Sequence, residues 1–257
     1  MQLKSVFLTC ATIAGAIAIA GAANASNTVN VQYFEIPTGS GSLDFDACCS
    51  SASPTTPSNP ATLPIIMSGS GLVGGLPVVT AASNVADQSG SHQILWWTPG
   101  GTPTVTSEGS AIIPLPTAGI NMFAPHNSGS SDATYFETAI VTGTITGNGS
   151  TPTTLTVSSD DDALVYLNGS YIGGNPGVHG VETTNFNLGN LNGSDSLEIF
   201  YADRAQDGAV LGIDVTGATI SGAPEPASWA LMLLGVGGIG AAMRMSRRKS
   251  DAALATA

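Results

Sequence analysis

Hydrophobic and polar residues alternate along several stretches of the chain, a period of two that predicts β-strands rather than helices. The alternating apolar positions are Val29, Val31 and Tyr33; Leu155 and Val157; Leu197, Ile199 and Tyr201; and Leu211, Ile213 and Val215. Between residues 26 and 223 no stretch keeps a helical period over the length of an ordinary helix. The pattern therefore predicts an all-β body.

A continuously apolar run over 163–167 differs from these alternating segments and is typical of a strand buried on both faces. Asn168-Gly169 follows it directly, and this pair favours a two-residue hairpin because both turn positions need a positive φ. We expect the return strand over 170–172. A loop over 173–177 would then lead to His179.

The composition agrees with short strands joined by turns, since the chain holds 32 Gly and 15 Pro and only 9% of its residues are charged. Three prolines between residues 50 and 60 predict a long surface loop there. The fold class that follows is an antiparallel β-sandwich, jelly-roll-like, with long insertions near its start.

The charges are unevenly distributed along a chain whose net charge is −12. Arg204 is the only cation between residues 26 and 223, and that segment carries 16 of the 18 acidic residues. Its field repels phosphates and anionic lipids, so we expect no nucleic-acid partner. Divalent cations and neutral glycans are compatible with such a surface.

The first 25 residues have the three parts of a secretion signal. Lys4 precedes an apolar run, and Ala23-Asn24-Ala25 supplies the small residues that a signal peptidase requires. We expect residues 1–25 to be removed after Ala25. The mature body, residues 26–223, would then lie outside the cytoplasm.

The last part of the chain combines a short motif, an apolar segment and a basic tail. The apolar segment, 227–243, is long enough for a transmembrane helix at the short end of the usual range, and the cations after it would stay in the cytoplasm. Residues 224–250 also resemble the PEP-CTERM sorting signal. The residues that carry this resemblance are Pro224, Glu225, Pro226, Trp229, Arg247 and Arg248.

That resemblance implies processing by an exosortase, a membrane transpeptidase that cuts near the motif. It also implies a Gram-negative bacterium that makes exopolysaccharide. The protein would be secreted or held at the cell surface, with the helix as a transient membrane anchor.

Asp160, Asp161 and Asp162 form the most informative acidic run, directly before the apolar strand. Adjacent carboxylates repel one another, so we expect them at an exposed end of the sandwich, either solvated or neutralised by a cation. Hard oxygen ligands favour calcium. Both interpretations, a calcium site and a solvated acidic turn, are open at this point.

Three blocks, at 158–169, 177–180 and 197–215, resemble the fibro-slime module and the related protective-antigen-like lectin sandwiches, covering about 130–216. The resemblance implies a β-sandwich in which an Asp pair, here Asp160 and Asp161, holds calcium that also contacts a sugar. Asp162 stands where many relatives carry Gly. Asn175 and His179 lie in a segment that could approach the same ligand, or could be an ordinary turn residue and a hydrogen-bonded loop residue.

Other polar and aromatic features have two interpretations each. Arg204 is expected to form an internal ion pair rather than to contact a ligand. Trp96-Trp97 could be a sugar platform, although core packing of one ring and edge exposure of the other is the commoner outcome. Cys48 and Cys49 could form a strained vicinal disulfide or a link between chains, because adjacent Cα atoms lie about 3.8 Å apart.

The sequence thus predicts a surface module that binds extracellular polysaccharide with the help of calcium. A structural matrix protein that uses calcium only for stability is the first alternative. A polysaccharide hydrolase is the second, but no nucleophile elbow or paired-His motif supports it, so we expect no enzyme.

Overall fold

The computed structural model describes residues 27–37, 40, 42, 44–45, 71–83, 85–101, 103–117, 135–204 and 209–222. Within these residues the chain forms ten β-strands. Their bounds are β1 Thr28–Pro37, β2 Thr106–Pro114, β3 Tyr135–Asn148, β4 Thr153–Asp160, β5 Asp162–Leu167, β6 Ser170–Asn175, β7 Glu182–Gly189, β8 Asn192–Ala202, β9 Val210–Thr216 and β10 Thr219–Ser221.

Several predictions fall on other parts of the chain. The signal peptide, the Cys48-Cys49 pair and the apolar segment 227–243 lie outside the described residues. In the described part, no helix is long and apolar enough to cross a membrane.

The strands form two antiparallel sheets, which confirms the predicted all-β class. The larger sheet has the order β2-β1-β3-β8-β5-β6, with β10 pairing to one end of β3, and the smaller sheet has the order β7-β4-β9. A hydrophobic core packs between them. It includes the alternating residues that predicted strands, among them Val31, Leu155, Ile199 and Ile213, all no more than 1% exposed. Burial of this apolar surface is the main force that holds the two sheets together.

A second hydrophobic core covers the opposite face of the larger sheet. Phe34, Leu164 and Phe200 point to this side, and the irregular segment between β1 and β2 packs over them with Ile94 and Trp96. The insertion expected near the start of the sandwich therefore closes the outer face of the larger sheet. This explains why 163–167, in the interior of that sheet, is apolar at every position.

The Asn168-Gly169 hairpin is confirmed, with φ values of 50° and 72° at its two turn positions. The return strand is longer than predicted, since β6 runs from Ser170 to Asn175 and includes residues assigned to a loop. The glycines in β6 permit a close approach rather than a turn. A Cβ at Gly174 would lie 1.9 Å from the carbonyl oxygen of Ala163 on β5.

Candidate functional site

The three aspartates lie where the chain passes from the smaller sheet to the larger one. Asp160 ends β4 opposite Val210, and Asp162 begins β5 opposite Ala202. The Asp160–Asp161 peptide bond is cis. The carbonyl oxygen of Asp160 accepts a hydrogen bond of 2.5 Å from the Tyr201 hydroxyl, which ties this crossing to β8.

Asp161 is fully buried, and two backbone N–H groups hold its carboxylate. The amide of His179 donates to Oδ1 at 2.8 Å, and the amide of Arg204 donates to Oδ2 at 2.9 Å. The expectation of a solvated acidic end is therefore wrong for this residue. Its burial is tolerable because each oxygen has a donor.

Asp162 is also fully buried and forms an ion pair with Arg204, which is 3% exposed. The guanidinium donates from Nε to Oδ2 at 2.5 Å and from Nη2 to Oδ1 at 3.2 Å, while the Gly177 amide donates to Oδ1 at 2.6 Å. The predicted internal ion pair of Arg204 is confirmed. The cation that neutralises this carboxylate belongs to the chain itself.

Burial raises the pKa of Asp162 to about 6, and the charge and hydrogen bonds of Arg204 oppose this rise. The Arg204 guanidinium also lies 5.1 Å from the centre of the Trp96 ring, within cation–π range. Trp96 in turn donates from its indole N–H to Asp44 at 3.0 Å. The site is thus attached to the core that covers the outer face of the larger sheet.

Asn175 and His179 both lie beside the aspartates, as the sequence suggested. Asn175 forms hydrogen bonds there through its side chain, and His179 through its backbone amide. The side-chain amide of Asn175 donates to the Ser159 hydroxyl at 3.1 Å and to the Glu182 carbonyl at 3.0 Å. Its oxygen accepts a hydrogen bond from Thr184. Asn175 is buried and not a turn residue, because it ends β6 and joins it to β4 and β7.

His179 contributes its backbone amide to Asp161, and its imidazole is partly exposed. Partial burial alone would lower the pKa of the imidazole. The carbonyls of Gly180 and Asn175, together with the charges of Glu182 and Asp162, outweigh burial and raise this pKa above its ordinary value. The segment 175–180 therefore arranges backbone donors around the aspartates.

The tryptophan pair does not form a sugar platform. Trp96 is completely buried and Trp97 is 3% exposed, so the expected exposure of one ring is wrong. The Trp97 indole donates to the Tyr201 carbonyl at 2.8 Å, and its ring packs 5.1 Å from that of Phe200. Both rings are needed to cover the larger sheet.

Further acidic residues, not predicted from the sequence, lie on the neighbouring strands. Glu35 and Glu137 are directly opposite one another on β1 and β3, and the Asp203 amide donates to the Glu137 carbonyl at 2.9 Å. Burial raises the pKa of the nearby Tyr33 to about 12, and the charge of Glu137 adds to this. Within the described residues, however, no three His, Cys, Asp or Glu side chains are grouped so as to hold a metal ion.

The two sheets form an all-β domain, and the C-terminal part of the chain indicates how the protein is exported. Residues 223–249 match the PEP-CTERM protein-sorting motif, which confirms the predicted sorting signal. The chain is therefore an exported protein that is sorted through an exosortase.

Several solved structures are similar to parts of this chain. The PA14 domain of the MpAFP antifreeze protein aligns with a TM-score of 0.28 and 14% identity over 35% of this chain and 55% of its own. A PA14 sugar-binding domain from an RTX adhesin aligns with a TM-score of 0.26 and 25% identity over 37% and 50%. A family 35 carbohydrate binding module from an environmental isolate aligns with a TM-score of 0.28 and 18% identity over 42% and 91%.

The chain thus spans about half the length of the two PA14 structures it matches. A comparison with curated proteins found no match.

Proposed function

We propose that this exported protein binds extracellular polysaccharide through a calcium ion held by Asp160 and Asp161. The observation that supports it most directly is the position of the Asp161 carboxylate, which the backbone amides of His179 and Arg204 hold in one orientation beside Asp160. Hydrogen bonds that fix a metal-binding carboxylate in advance reduce the entropy lost when the metal ion binds.

The oxygen donors at this crossing fit calcium better than softer metals. The Asp161 carboxylate supplies two hard oxygen atoms, the ligand type that calcium prefers. Asp160 is partly exposed. Asp162 is a poor ligand, because Arg204 and the Gly177 amide already engage both of its oxygens.

Calcium takes about six to eight oxygen ligands, so backbone carbonyls, water and ligand hydroxyls must supplement the two aspartates. When bound, the ion would neutralise the aspartates and offer coordination positions to sugar hydroxyl groups. The chain's own contribution is to orient the carboxylates. With a net charge of −12, it favours neutral sugars over anionic polymers.

The alternative is a matrix protein in which calcium only stabilises the sandwich. The complete burial of Asp161 favours this alternative, since a sugar cannot directly contact a carboxylate that has no exposed surface. In our proposal the sugar contacts the calcium ion and not Asp161.

The two functions differ in one experiment on the protein purified after export. Thermal unfolding is measured with calcium and with chelator, and retention by exopolysaccharide from the producing strain is measured by affinity electrophoresis. Calcium at about 100 times its Kd should stabilise the fold by about 2.7 kcal/mol. Asp160→Asn should lose most of this stabilisation together with polysaccharide retention.

Glu108→Gln is the matched control, since it removes one carboxylate from β2, at the far edge of the larger sheet, and should keep the wild-type calcium response and retention. Calcium stabilisation without retention would favour the matrix protein. No calcium effect at all would contradict the proposal. Release of reducing sugar in the same assay would indicate a hydrolase.

A further inference from the structure

The outer face of the smaller sheet is lined by short polar side chains. They occupy alternate positions on its three strands, and in chain order they are Thr154, Thr156, Ser158, Thr183, Asn185, Asn187, Asp214 and Thr216. Only Asp214 among them is charged. This face therefore offers hydroxyl and amide groups, with no cation among them.

A cavity of about 360 Å³ opens on this face beside β9. It is lined by Pro116, Thr117, Thr156, Ser158, Gly212, Ile213 and Asp214. Gly212 lies directly opposite Ser158, and because it has no side chain the floor of the cavity stays open. The volume falls within the range of about 300 to 1,000 Å³ that is usual for small-molecule sites.

The far wall of the cavity is fixed in place before any ligand arrives. The Thr117 amide donates to the Ile213 carbonyl at 3.0 Å, and the Ile213 amide donates to the Thr117 hydroxyl at 2.8 Å. Thr117 itself is 1% exposed. Thr117 thus pairs with the outer edge of β9. This wall of the cavity is already ordered, so binding a ligand there should cost little conformational entropy.

The polar groups at the cavity include both acceptors and donors. Across the described ranges, the Asp214 carboxylate has no hydrogen bond or ion pair, so both its oxygens can accept. Thr156 lies opposite both Asp214 and Asn185, and its hydroxyl donates to the Asn185 oxygen at 2.7 Å. Asn185 is exposed beside the cavity, and its amide nitrogen can donate. Adjacent hydroxyl groups of a sugar match such a set.

We propose that this cavity is a second subsite, which binds a neutral sugar unit of the same polysaccharide. Its carboxylate disfavours uronic acids and sulfated sugars, because Asp214 would face another anion without a cation nearby. The inference rests on the proposed polysaccharide binding but uses other residues. It assigns the outer face of the smaller sheet as the path of the glycan.

The alternation of β4 connects the two sites. Thr156, Ser158 and Asp160 are partly exposed, whereas the residues between them are buried, so the three point to the same outer face. Successive positions on one face of a strand are about 6.6 Å apart, which places Asp160 about 13 Å along β4 from Thr156. An extended glycan lying along β4 can therefore span both positions.

The test uses exopolysaccharide from the producing strain, divided by anion exchange into a neutral fraction and an acidic fraction. The protein purified after export is run in affinity gels that contain either fraction. We expect retention by the neutral fraction. Asp214→Asn and Thr156→Val should each weaken that retention at least tenfold. The first replaces one acceptor oxygen by an amide donor and removes the charge, and the second removes a hydroxyl, both with little change in shape.

Both variants alter partly exposed positions, so their melting temperatures and their calcium responses should match those of wild type. Glu108→Gln again controls for the loss of one negative charge. The inference would be overturned if the neutral fraction retained Asp214→Asn and Thr156→Val as strongly as wild type. It would also be overturned if only the acidic fraction, or neither fraction, retained the wild-type protein. If the second subsite is disproved in this way but Asp160→Asn still abolishes the calcium response and retention, the proposed calcium-dependent function stands.

Discussion

The guanidinium of Arg204 and the carboxylate of Asp162 form a two-point ion pair that is almost completely excluded from water. Arg204 is the only cation between residues 26 and 223, and it is used inside the fold. Its backbone amide also donates to Asp161. One residue thus neutralises one aspartate and orients another.

Replacing Arg204 by Met should destabilise the protein by about 3 to 5 kcal/mol at neutral pH, because it leaves Asp162 charged and buried without a partner. Urea unfolding of the two proteins measures the difference. The double variant Asp162→Leu with Arg204→Met removes both charges and should recover much of the loss. Normal stability of the single variant, combined with lost polysaccharide retention, would instead mean that Arg204 contacts the ligand.

The destabilisation caused by Arg204→Met should be smaller at pH 5 than at pH 7.5. Burial already raises the pKa of Asp162 to about 6, and removing Arg204 removes the main influence that lowers it. A raised pKa in the folded state favours folding below the unfolded value of about 4, and this contribution is lost as the pH rises through the folded value. Asp162 can therefore take up a proton at pH 5 in the variant. An equal loss at both pH values in urea unfolding would contradict this.

Trp97→Phe should lower stability by about 2 to 4 kcal/mol and leave polysaccharide retention unchanged. The substitution leaves the Tyr201 carbonyl without its indole donor and reduces packing against Phe200. Urea unfolding measures the first effect and affinity electrophoresis the second. Loss of retention with wild-type stability would restore the interpretation of the tryptophans as a sugar platform.

Features set by neighbouring residues could be predicted from the sequence. The alternation of Leu155 and Val157 predicted β4, and Asn168-Gly169 predicted the turn after β5, because a strand's period and a hairpin's φ values are local properties. The sorting motif was equally local. The expected ion pair of Arg204 followed from the lack of any other cation in the body.

Features that depend on distant contacts could not be predicted in the same way. Asp162 and Arg204 are 42 positions apart, so nothing local indicates that Asp161 and Asp162 are buried. Trp96 is buried because the insertion folds over the larger sheet, and Gly174 is a strand residue because β5 passes close to it. The cavity above Gly212 requires β4, β9 and the segment before residue 118 to be neighbours.

Asn168→Ala should destabilise the protein more than Asn168→Gly. The Asn168 side chain donates to Asp195 at 2.6 Å and accepts from the Ser196 amide at 2.9 Å, so both variants lose these bonds at a cost of about 1 to 2 kcal/mol in total. Alanine also has to adopt φ of 50°, which adds about 1 kcal/mol, whereas glycine does so freely. Urea unfolding of both variants measures the difference. Equal stabilities would mean that the turn relaxes to another conformation.

Replacing Pro224, Glu225 and Pro226 together by alanine should block processing and leave the full-length protein in the membrane fraction. The exosortase recognises the motif, and without it the apolar segment and its basic tail remain attached to the body. Cell fractionation and intact mass of the protein measure this. Pro152→Ala, an exposed proline between β3 and β4, is the control and should be processed normally. Normal processing of the triple variant would mean that the segment after residue 226 is sufficient for sorting.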